Sequence, residues 1–263
     1  MPARVFAVTR AVLRGALVIV HLVIGLLMAV AAGLDFFEWL DRARLAGWWH
    51  RVLLRILGVH VRRHGQPTTA AHLSVANHIS WLDIPVINAS EPVRFVAKSE
   101  IRNWPLAGWL ATAAGSFYLR RGKGDSPRLL DRLSVYLRNG GSVALFPEGT
   151  TTDGSGMLRF HARMFAPAIE ARCAVQPIAL RYDGVDGRAI APFIGDDDLL
   201  HHVLRVLMVA RLDVEVTYCA PIEANGRERT DLANAAQAGI EQALGLQPNP
   251  VAASTAPPIA AAA

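Results

Sequence analysis

A run of about twenty mostly apolar residues near the N-terminus, 15–34, constrains this chain more than any other feature. Only His21 interrupts it, and three arginines at positions 4, 10 and 14 precede it. A helix of about twenty apolar residues matches the thickness of the hydrocarbon core of a bilayer. The run therefore predicts a membrane helix at the start of the chain.

Two alternatives to a membrane helix stay open from the sequence. The run could be a cleaved signal peptide, with Ala29-Val30-Ala31 as the cleavage site, or a helix buried in a protein core. Arginines lie on both sides of the run, so the positive-inside rule does not fix an orientation. The sequence also leaves open whether the helix crosses the bilayer or lies in one leaflet.

The next segment, 36–61, is amphipathic. Its large apolar residues recur at roughly helical spacing, with arginines among them: Phe37, Leu40, Leu45, Trp48, Trp49, Val52, Leu53, Ile56, Leu57, and Arg42, Arg44, Arg51, Arg55. A helix with tryptophans on one side and arginines on the other suits the membrane interface. The alternative is an ordinary surface helix that packs on the core. We expect residues 1–62 to form a membrane-docking helix pair.

Composition agrees with a lipid partner. The 263 residues are 52% hydrophobic with a mean hydropathy of +0.27, and the net charge of +5 accompanies a pI of about 9.8. Basic residues beside apolar segments favour anionic lipid, and the sequence contains no recognisable nucleic-acid module. Cys173 and Cys219 are isolated, without metal-ligand spacing, which is typical of a reducing compartment.

After residue 70, short apolar runs alternate with helical patterns. We predict strands at 73–76, 93–97, 117–119, 142–146, 175–181 and 214–218, and helices at 84–89, 105–114, 127–138, 159–171, 199–211 and 230–244. This alternation predicts an α/β fold, with a single mixed-sheet domain flanked by helices over 63–246. The remainder, 247–263, is rich in proline and alanine and is predicted to be a disordered tail.

A histidine and a carboxylate lie five positions apart just after the first predicted strand. They are His78 and Asp83 in Asn77-His78-Ile79-Ser80-Trp81-Leu82-Asp83. An imidazole accepts a proton near neutral pH, and a carboxylate can fix its tautomer. The alternative is structural, because Ser80-x-x-Asp83 also has the form of a capping box at a helix start.

A second motif, Phe146-Pro147-Glu148-Gly149-Thr150, follows another predicted strand. The structural interpretation is a turn with a capping glutamate. The functional interpretation is a substrate-binding loop, in which Gly149 permits close approach of the backbone and Glu148 accepts a hydrogen bond from a hydroxyl.

These two blocks resemble those of the glycerolipid acyltransferases, which include the 1-acylglycerol-3-phosphate acyltransferases. Asn77–Asp83 is similar to the NHx4D block and Phe146–Thr150 to the FPEGT block of that family. Weaker similarities agree in order: 115–121 to the Gly-x-x-Phe-Ile-x-Arg block, 175–178 to the final Val-x-Pro block, and 95–100 to the stretch that supplies a phosphate-facing lysine. The resemblance covers about residues 70–185.

The resemblance implies acyl transfer from a thioester to an alcohol, without a metal or bound cofactor. His78 is expected to be the base and Asp83 its orienting partner. Substrate-binding roles are implied for Lys98, Arg121, Glu148, Gly149 and Thr150, and supporting roles for Asn77, Ser80, Phe146 and Pro147. The donor is expected to be acyl-CoA or acyl-ACP (acyl carrier protein), and the acceptor a lysolipid in the bilayer.

The expected product is phosphatidic acid, made from 1-acyl-sn-glycerol 3-phosphate. One departure favours other acceptors: many family members have an arginine after FPEGT, and here that residue is Thr151. Another lysophospholipid or lyso-ornithine lipid is therefore the alternative. The resemblance implies a bacterial-type inner membrane, with the catalytic domain on the cytoplasmic side. An esterase is disfavoured because the sequence lacks Gly-x-Ser-x-Gly, and the remaining alternative is a non-catalytic lipid-binding protein.

Overall fold

The computed structural model describes residues 2–34, 42–104, 107–119, 126–195 and 197–247. Its helices are α1 (Pro2–Leu34), α2 (Arg42–Leu57), α3 (Asp83–Ser90), α4 (Ala107–Ala113), α5 (Ser126–Arg138), α6 (Ala166–Ala171), α7 (Gly184–Ile190), α8 (Leu199–Met208) and α9 (Arg229–Leu244). Its strands are β1 (Val59–His64), β2 (His72–Ala76), β3 (Arg94–Lys98), β4 (Phe117–Leu119), β5 (Val143–Leu145), β6 (Ala174–Asp183) and β7 (Leu212–Tyr218). Two short 3-10 helices, Ser99–Asn103 and Ala162–Phe165, follow β3 and precede α6.

The seven strands form one sheet in the order β1-β7-β6-β2-β5-β3-β4. Neighbouring strands are parallel except for β6 and β7, which are antiparallel. The sheet is therefore mixed, as the sequence predicted. Because β2, β3, β4, β5 and β6 all run the same way, the loops that follow them emerge at one edge.

Two apolar cores cover the two faces of the sheet. One contains residues of α2, α3 and α8, among them Leu57, Ile87 and Val206. The other contains residues of α5, α6 and α9, including Leu133 and Ile240. Helices on both faces of a largely parallel sheet give three layers, which is the α/β architecture expected from the alternating pattern.

Helix α1 packs against α2, α4 and α8 rather than against the sheet. Of the residues that the structure describes, one helix, Arg4–Leu34, is long and apolar enough to cross a membrane by length and composition. Its most apolar stretch is largely exposed, which disfavours the alternative of a helix buried in the core.

The predicted amphipathic helix was wrong at its C-terminal end. It was expected to continue to residue 61, but α2 ends at Leu57 and residues 59–64 form β1. Gly58 has a φ of 75°, a conformation that ends helices readily when the residue is glycine. The expectation for 36–41 lies outside the described residues.

The helix predicted for 159–171 was also wrong in its first half. Leu158 and His161 donate backbone hydrogen bonds to Glu148 Oε2 and to the Pro147 carbonyl, and Phe160 donates one to Gln237. These distant partners hold 158–161 in an irregular conformation, and regular α-helix begins only at Ala166.

The remaining elements agree with the predictions to within a few residues, with two exceptions. Helix α7 was not predicted, and α8 ends at Met208 instead of 211. The predicted tail lies outside the described residues from position 248 onward.

Candidate active site

His78 and Asp83 are in direct contact just beyond the C-terminal end of the central strand β2. His78 follows β2, and Asp83 is the first residue of α3. His78 Nδ1 lies 2.8 Å from Asp83 Oδ2. The carboxylate is fully buried, whereas the imidazole remains 18% exposed. The five-residue spacing therefore brings the base and its orienting group together, as the sequence suggested.

Asp83 is held by donors on both of its oxygens. Oδ2 accepts backbone hydrogen bonds from Ile79 at 2.7 Å and Ser80 at 2.9 Å in addition to the His78 contact. Oδ1 accepts one from the hydroxyl of Tyr182 at 2.8 Å. Burial, followed by the nearby charge of Asp83, holds the pKa of Tyr182 well above its ordinary value of 10.0. The phenol thus stays protonated and donates its hydrogen bond to the carboxylate.

The second ring nitrogen of His78 is available. Because Nδ1 faces an acceptor, it carries the proton, and Nε2 presents a lone pair. Nε2 has no hydrogen-bond partner among the described residues. The imidazole stacks on Phe146, with ring centroids 3.8 Å apart and planes 9° from parallel. The tautomer and the ring plane are therefore both fixed in a form suited to accepting a proton.

Glu148 contacts the backbone of two loops through both of its carboxylate oxygens. Its Oε1 accepts the backbone N–H of His78 at 2.8 Å and its Oε2 that of Leu158 at 2.7 Å. Burial raises the pKa of Glu148 above 4.5, opposed by these two bonds. With 4% of its surface exposed, Glu148 joins two loops, and the expected hydrogen bond from a substrate hydroxyl stays a prediction.

Three supporting residues are structural. Asn77 exchanges two hydrogen bonds with the backbone of Leu180, which extends the pairing of β2 with β6. Pro147 offers its carbonyl to His161. The capping box at Ser80 forms only in part, because Asp83 accepts the Ser80 N–H but the fully buried Ser80 hydroxyl has no partner in the described structure.

The remaining predicted substrate ligands lie beyond the C-terminal ends of the parallel strands or outside the described residues. Lys98 is exposed at the end of β3, and Thr150 is exposed in the loop after β5. Gly149 closes the turn by donating to the Phe146 carbonyl at 3.1 Å, with a φ of 73°. Arg121 follows β4, beyond the last described residue of that strand.

Sequence reasoning missed a segment that connects the two motifs. Phe193 donates its N–H to the Ile79 carbonyl at 2.9 Å and accepts a hydrogen bond from the Thr151 hydroxyl. Thr152 donates its N–H to the His78 carbonyl at 2.8 Å. Residues 191–195, which we call the strap, therefore hold the His78 loop against the Phe146–Thr150 loop.

His202 was also missed as a site residue. Its Nδ1 lies 3.0 Å from Trp81 Nε1, and its Nε2 lies 3.1 Å from the carbonyl of Pro192 in the strap. The sequence presents it as one histidine of nine, beside His201, with no local motif. Only the packing of α8 on the sheet brings it to the loop that carries His78.

Comparison with known proteins identifies the family of this chain. A family model described as Acyltransferase matches residues 59–181. A lyso-ornithine lipid O-acyltransferase of Pseudomonas aeruginosa is 44% identical over 234 residues, which cover 83% of this chain and 90% of the relative. A 1-acyl-sn-glycerol-3-phosphate acyltransferase of Neisseria gonorrhoeae is 33% identical over 176 residues, covering 66% and 69%.

A crystal structure supports the fold. The 1-acyl-sn-glycerophosphate acyltransferase PlsC from Thermotoga maritima matches with a TM-score of 0.68 at 19% identity, covering 94% of this chain and 100% of that one. Fold and sequence together define an O-acyltransferase. The chain belongs to the acyltransferase family that contains these lysolipid acyltransferases, which confirms the resemblance found in its motifs.

Proposed function

We propose that this enzyme acylates the free hydroxyl of a lysolipid, with lyso-ornithine lipid as the acceptor and His78 as the general base. The observation that carries the reaction is the His78–Asp83 pair, whose geometry leaves Nε2 open for a substrate proton. The 44% identity to a lyso-ornithine lipid O-acyltransferase over most of both chains supports the acceptor. Lyso-ornithine lipid, the alternative acceptor in the sequence analysis, therefore replaces 1-acyl-sn-glycerol 3-phosphate as the proposed acceptor.

The reaction proceeds in two proton-balanced steps. Nε2 of His78 takes the proton of the acceptor hydroxyl while the oxygen bonds to the thioester carbonyl carbon. The carbon–sulfur bond then breaks, and the leaving thiolate takes the proton back from His78. Asp83 keeps its hydrogen bond to Nδ1 throughout, and its charge stabilises the transient imidazolium. No acyl-enzyme is needed.

The residue after Thr150 supports an acceptor without a phosphate group. At the position where many relatives have an arginine, the hydroxyl of Thr151 donates to the Phe193 carbonyl and so holds the strap. Ornithine carries a carboxylate and an ammonium group, so its anionic part needs fewer cationic ligands than a phosphate does. We propose the exposed Lys98 for that contact, with Arg121 and Thr150 as further headgroup ligands.

The donor is proposed to be acyl-CoA or acyl-ACP. Both present the same phosphopantetheine thioester, and both are made in the cytoplasm. This supports a catalytic domain on the cytoplasmic face of a bacterial inner membrane. Proteolysis of right-side-out spheroplasts tests the orientation, since a cytoplasmic domain is cleaved only after lysis.

The packing of α1 supports a helix in the plane of the membrane. It contacts the domain at three places. Arg10 donates to the Met208 carbonyl, His21 Nε2 lies 3.0 Å from the Trp49 carbonyl, and Gly25 lies beside the Trp49 indole. From residue 10 to 25 the helix rises about 23 Å, which is about three-quarters of the ~30 Å thickness of a bilayer core. A crossing helix would take that flank of the domain into hydrocarbon, so we propose interfacial docking.

A direct assay tests the acceptor. Purified protein in mixed micelles receives labelled acyl-ACP or acyl-CoA together with either lyso-ornithine lipid or 1-acyl-sn-glycerol 3-phosphate. We expect incorporation into ornithine lipid to dominate with at least one donor. Dominant formation of phosphatidic acid would reject the proposed acceptor and keep the enzyme class.

The role of His78 is tested separately. His78→Ala should lower kcat by at least about 100-fold, the usual size of a general-base contribution, with the fold intact. Asp83→Asn should also lower kcat, because the amide can bind the wrong tautomer. Full activity of His78→Ala in a folded protein would favour the non-catalytic lipid-binding alternative.

A further inference from the structure

Exposed apolar side chains are concentrated on one side of the described structure. Thirteen of its 22 large exposed hydrophobic residues belong to α1, from Val5 to Leu34. Trp48, Trp109 and three residues of α8 lie on the three helices that pack against α1. Large exposed apolar patches mark contact surfaces, so the region around α1, and not α1 alone, requires a partner.

The contribution of α8 is a regular stripe. Leu200 is 65% exposed and Leu204 is 47% exposed, and Met208 is exposed one turn later. Residues at i, i+4 and i+8 lie along one side of a helix. Three large apolar side chains in a ten-residue helix therefore face away from the protein core, although α8 buries His202 and Val206 in that core.

The position of the stripe around α8 is set by its neighbours. Leu207 lies on the side that faces α1, where a Cβ added at Gly15 would be 3.8 Å from its Cδ1. His201 and Arg205 lie on the other side and pair with Asp198 and Asp197. At 100° per residue, the stripe falls between these two sides and opposite the core. An apolar face bordered by α1 and by charged groups has the layout of an interfacial helix.

Helix α8 is also joined directly to α1. Arg10 donates to the Met208 carbonyl at 2.7 Å, and Arg14 donates to the carbonyls of Val209 and Ala210. These bonds satisfy carbonyls at the C-terminal end of α8, which have no partner within the helix. The two helices consequently keep a fixed relation, and the apolar face of α8 continues that of α1.

We propose that α8 is a further membrane-contacting helix, with Leu200, Leu204 and Met208 immersed in the lipid beside α1. This inference rests on the proposed membrane docking of α1. The occupant is a bilayer and not a second copy of the chain, because the stripe adjoins a helix with the length and composition of a membrane segment. On its core side α8 carries His202, which bonds Trp81. Docking by α8 therefore places the His78 loop behind this helix, about one helix diameter (~10 Å) from its lipid-facing side.

A matched pair of variants tests the membrane contact. In the full chain, Leu200→Gln with Leu204→Gln removes apolar surface from α8 without adding charge. Leu204→Gln alone is compared with the control variant Val135→Gln. Val135 is a suitable control because it is 48% exposed, about as much as Leu204, and lies on α5 on the opposite face of the sheet. Each protein is mixed with vesicles of phosphatidylethanolamine and phosphatidylglycerol and separated by flotation.

We expect the double variant to lower the vesicle partition coefficient about 10-fold and Leu204→Gln about 3-fold, with Val135→Gln unchanged. Activity on substrates dispersed in detergent should stay at the wild-type level, which separates failure of docking from failure of the proposed reaction. Equal partitioning of Leu204→Gln and Val135→Gln would overturn the proposal. A change from dimer to monomer in detergent, with unchanged partitioning, would assign the stripe to a protein interface instead.

A second measurement does not depend on the glutamine variants. Leu204→Cys and Val135→Cys are labelled with an environment-sensitive fluorophore. Burial raises the pKa of the Cys173 thiol to about 11 and raises that of Cys219, so a surface cysteine reacts first. Vesicles should shift the emission at position 204 to the blue and leave position 135 unchanged. Unchanged emission at both positions would overturn the proposal.

Discussion

Trp81 Nε1 lies 3.0 Å from Nδ1 of His202, a residue 121 positions further along the chain. Trp81 belongs to the short segment between His78 and Asp83, so this bond fixes the loop that carries the proposed base. His202 reaches the same loop by a second route, because its Nε2 contacts the Pro192 carbonyl in the strap. One buried imidazole thus joins α8, the strap and the His78 loop.

Substitution of His202 should reduce turnover without removing the base. His202→Leu loses both hydrogen bonds, and we expect kcat to fall between about 10-fold and 100-fold through misplacement of His78. His202→Asn can keep an acceptor near Trp81 and should recover part of that loss. Steady-state kinetics of both variants checks this difference. A kcat of His202→Leu equal to that of the wild type would contradict a positioning role.

The pH response of His202 has a defined sign. Burial lowers its pKa below 6.5, so the neutral form that accepts from Trp81 is the one favoured by the fold. The stabilisation from this site is present above the unfolded pKa and is lost as the pH falls through the lowered folded pKa. In His202→Asn this acid-side loss should disappear from the free energy of unfolding. If the free energy of unfolding of His202→Asn fell with decreasing pH as steeply as that of the wild type, His202 would not be the group responsible.

Tyr182 should matter through Asp83. Tyr182→Phe removes the donor to Asp83 Oδ1 and leaves a buried carboxylate oxygen unpaired, which costs about 1–3 kcal/mol. We expect a lower free energy of unfolding and a lower kcat, with the loss in kcat smaller than in His78→Ala. Urea denaturation and steady-state kinetics test both expectations, and wild-type values in both would show that Asp83 does not depend on the phenol.

Glu148 and Ser80 make a contrasting pair of buried motif residues. In Glu148→Gln the amide NH2 faces one of two backbone donors, so one hydrogen bond is lost and the free energy of unfolding should fall by about 1–3 kcal/mol. In Ser80→Ala a buried hydroxyl without a partner in the described structure is removed, so the free energy of unfolding should stay unchanged or rise by up to about 1–3 kcal/mol. The opposite order of the two effects in denaturation would contradict the assigned contacts.

A buried ion pair at the other end of β2 should make stability depend on pH. His72 Nε2 lies 2.7 Å from Glu91 Oε1, and Nδ1 lies 2.6 Å from the Ala70 carbonyl. Burial lowers the pKa of His72, but the bond and charge of Glu91 outweigh it and hold the pKa above 6.5. The stabilisation is therefore complete below the unfolded pKa and is lost as the pH rises through the folded pKa.

Glu91→Gln tests this dependence. The neutral amide removes the charge that raises the pKa of His72, so the loss of stability on the alkaline side should become smaller. Urea denaturation between about pH 6 and about pH 9 measures the slope for both proteins. A slope that is unaffected by Glu91→Gln would assign the dependence to other groups.

Local pattern was sufficient for much of the fold. The strand at 117–119 agrees with β4, and the apolar stripe of 127–138 agrees with α5, because a period of two or of 3.6 residues is a property of a short segment. The contact between His78 and Asp83 was also predictable, since only five residues separate them. The first half of the predicted helix at 159–171 failed because bonds to Glu148, Pro147 and Gln237, absent from any local window, hold it open.

The sequence alone indicated the family, the mixed α/β class, the long apolar helix at the N-terminus and the position of the proposed base. The tertiary structure decided the loop contacts of Glu148, the strap, the contacts of Tyr182 and His202, and the outward stripe of α8. The long-range contacts among them join residues 42 to 121 positions apart, and the stripe depends on which side of a helix the core covers. Strand order and helix packing set them, so no short segment of the sequence contains the information.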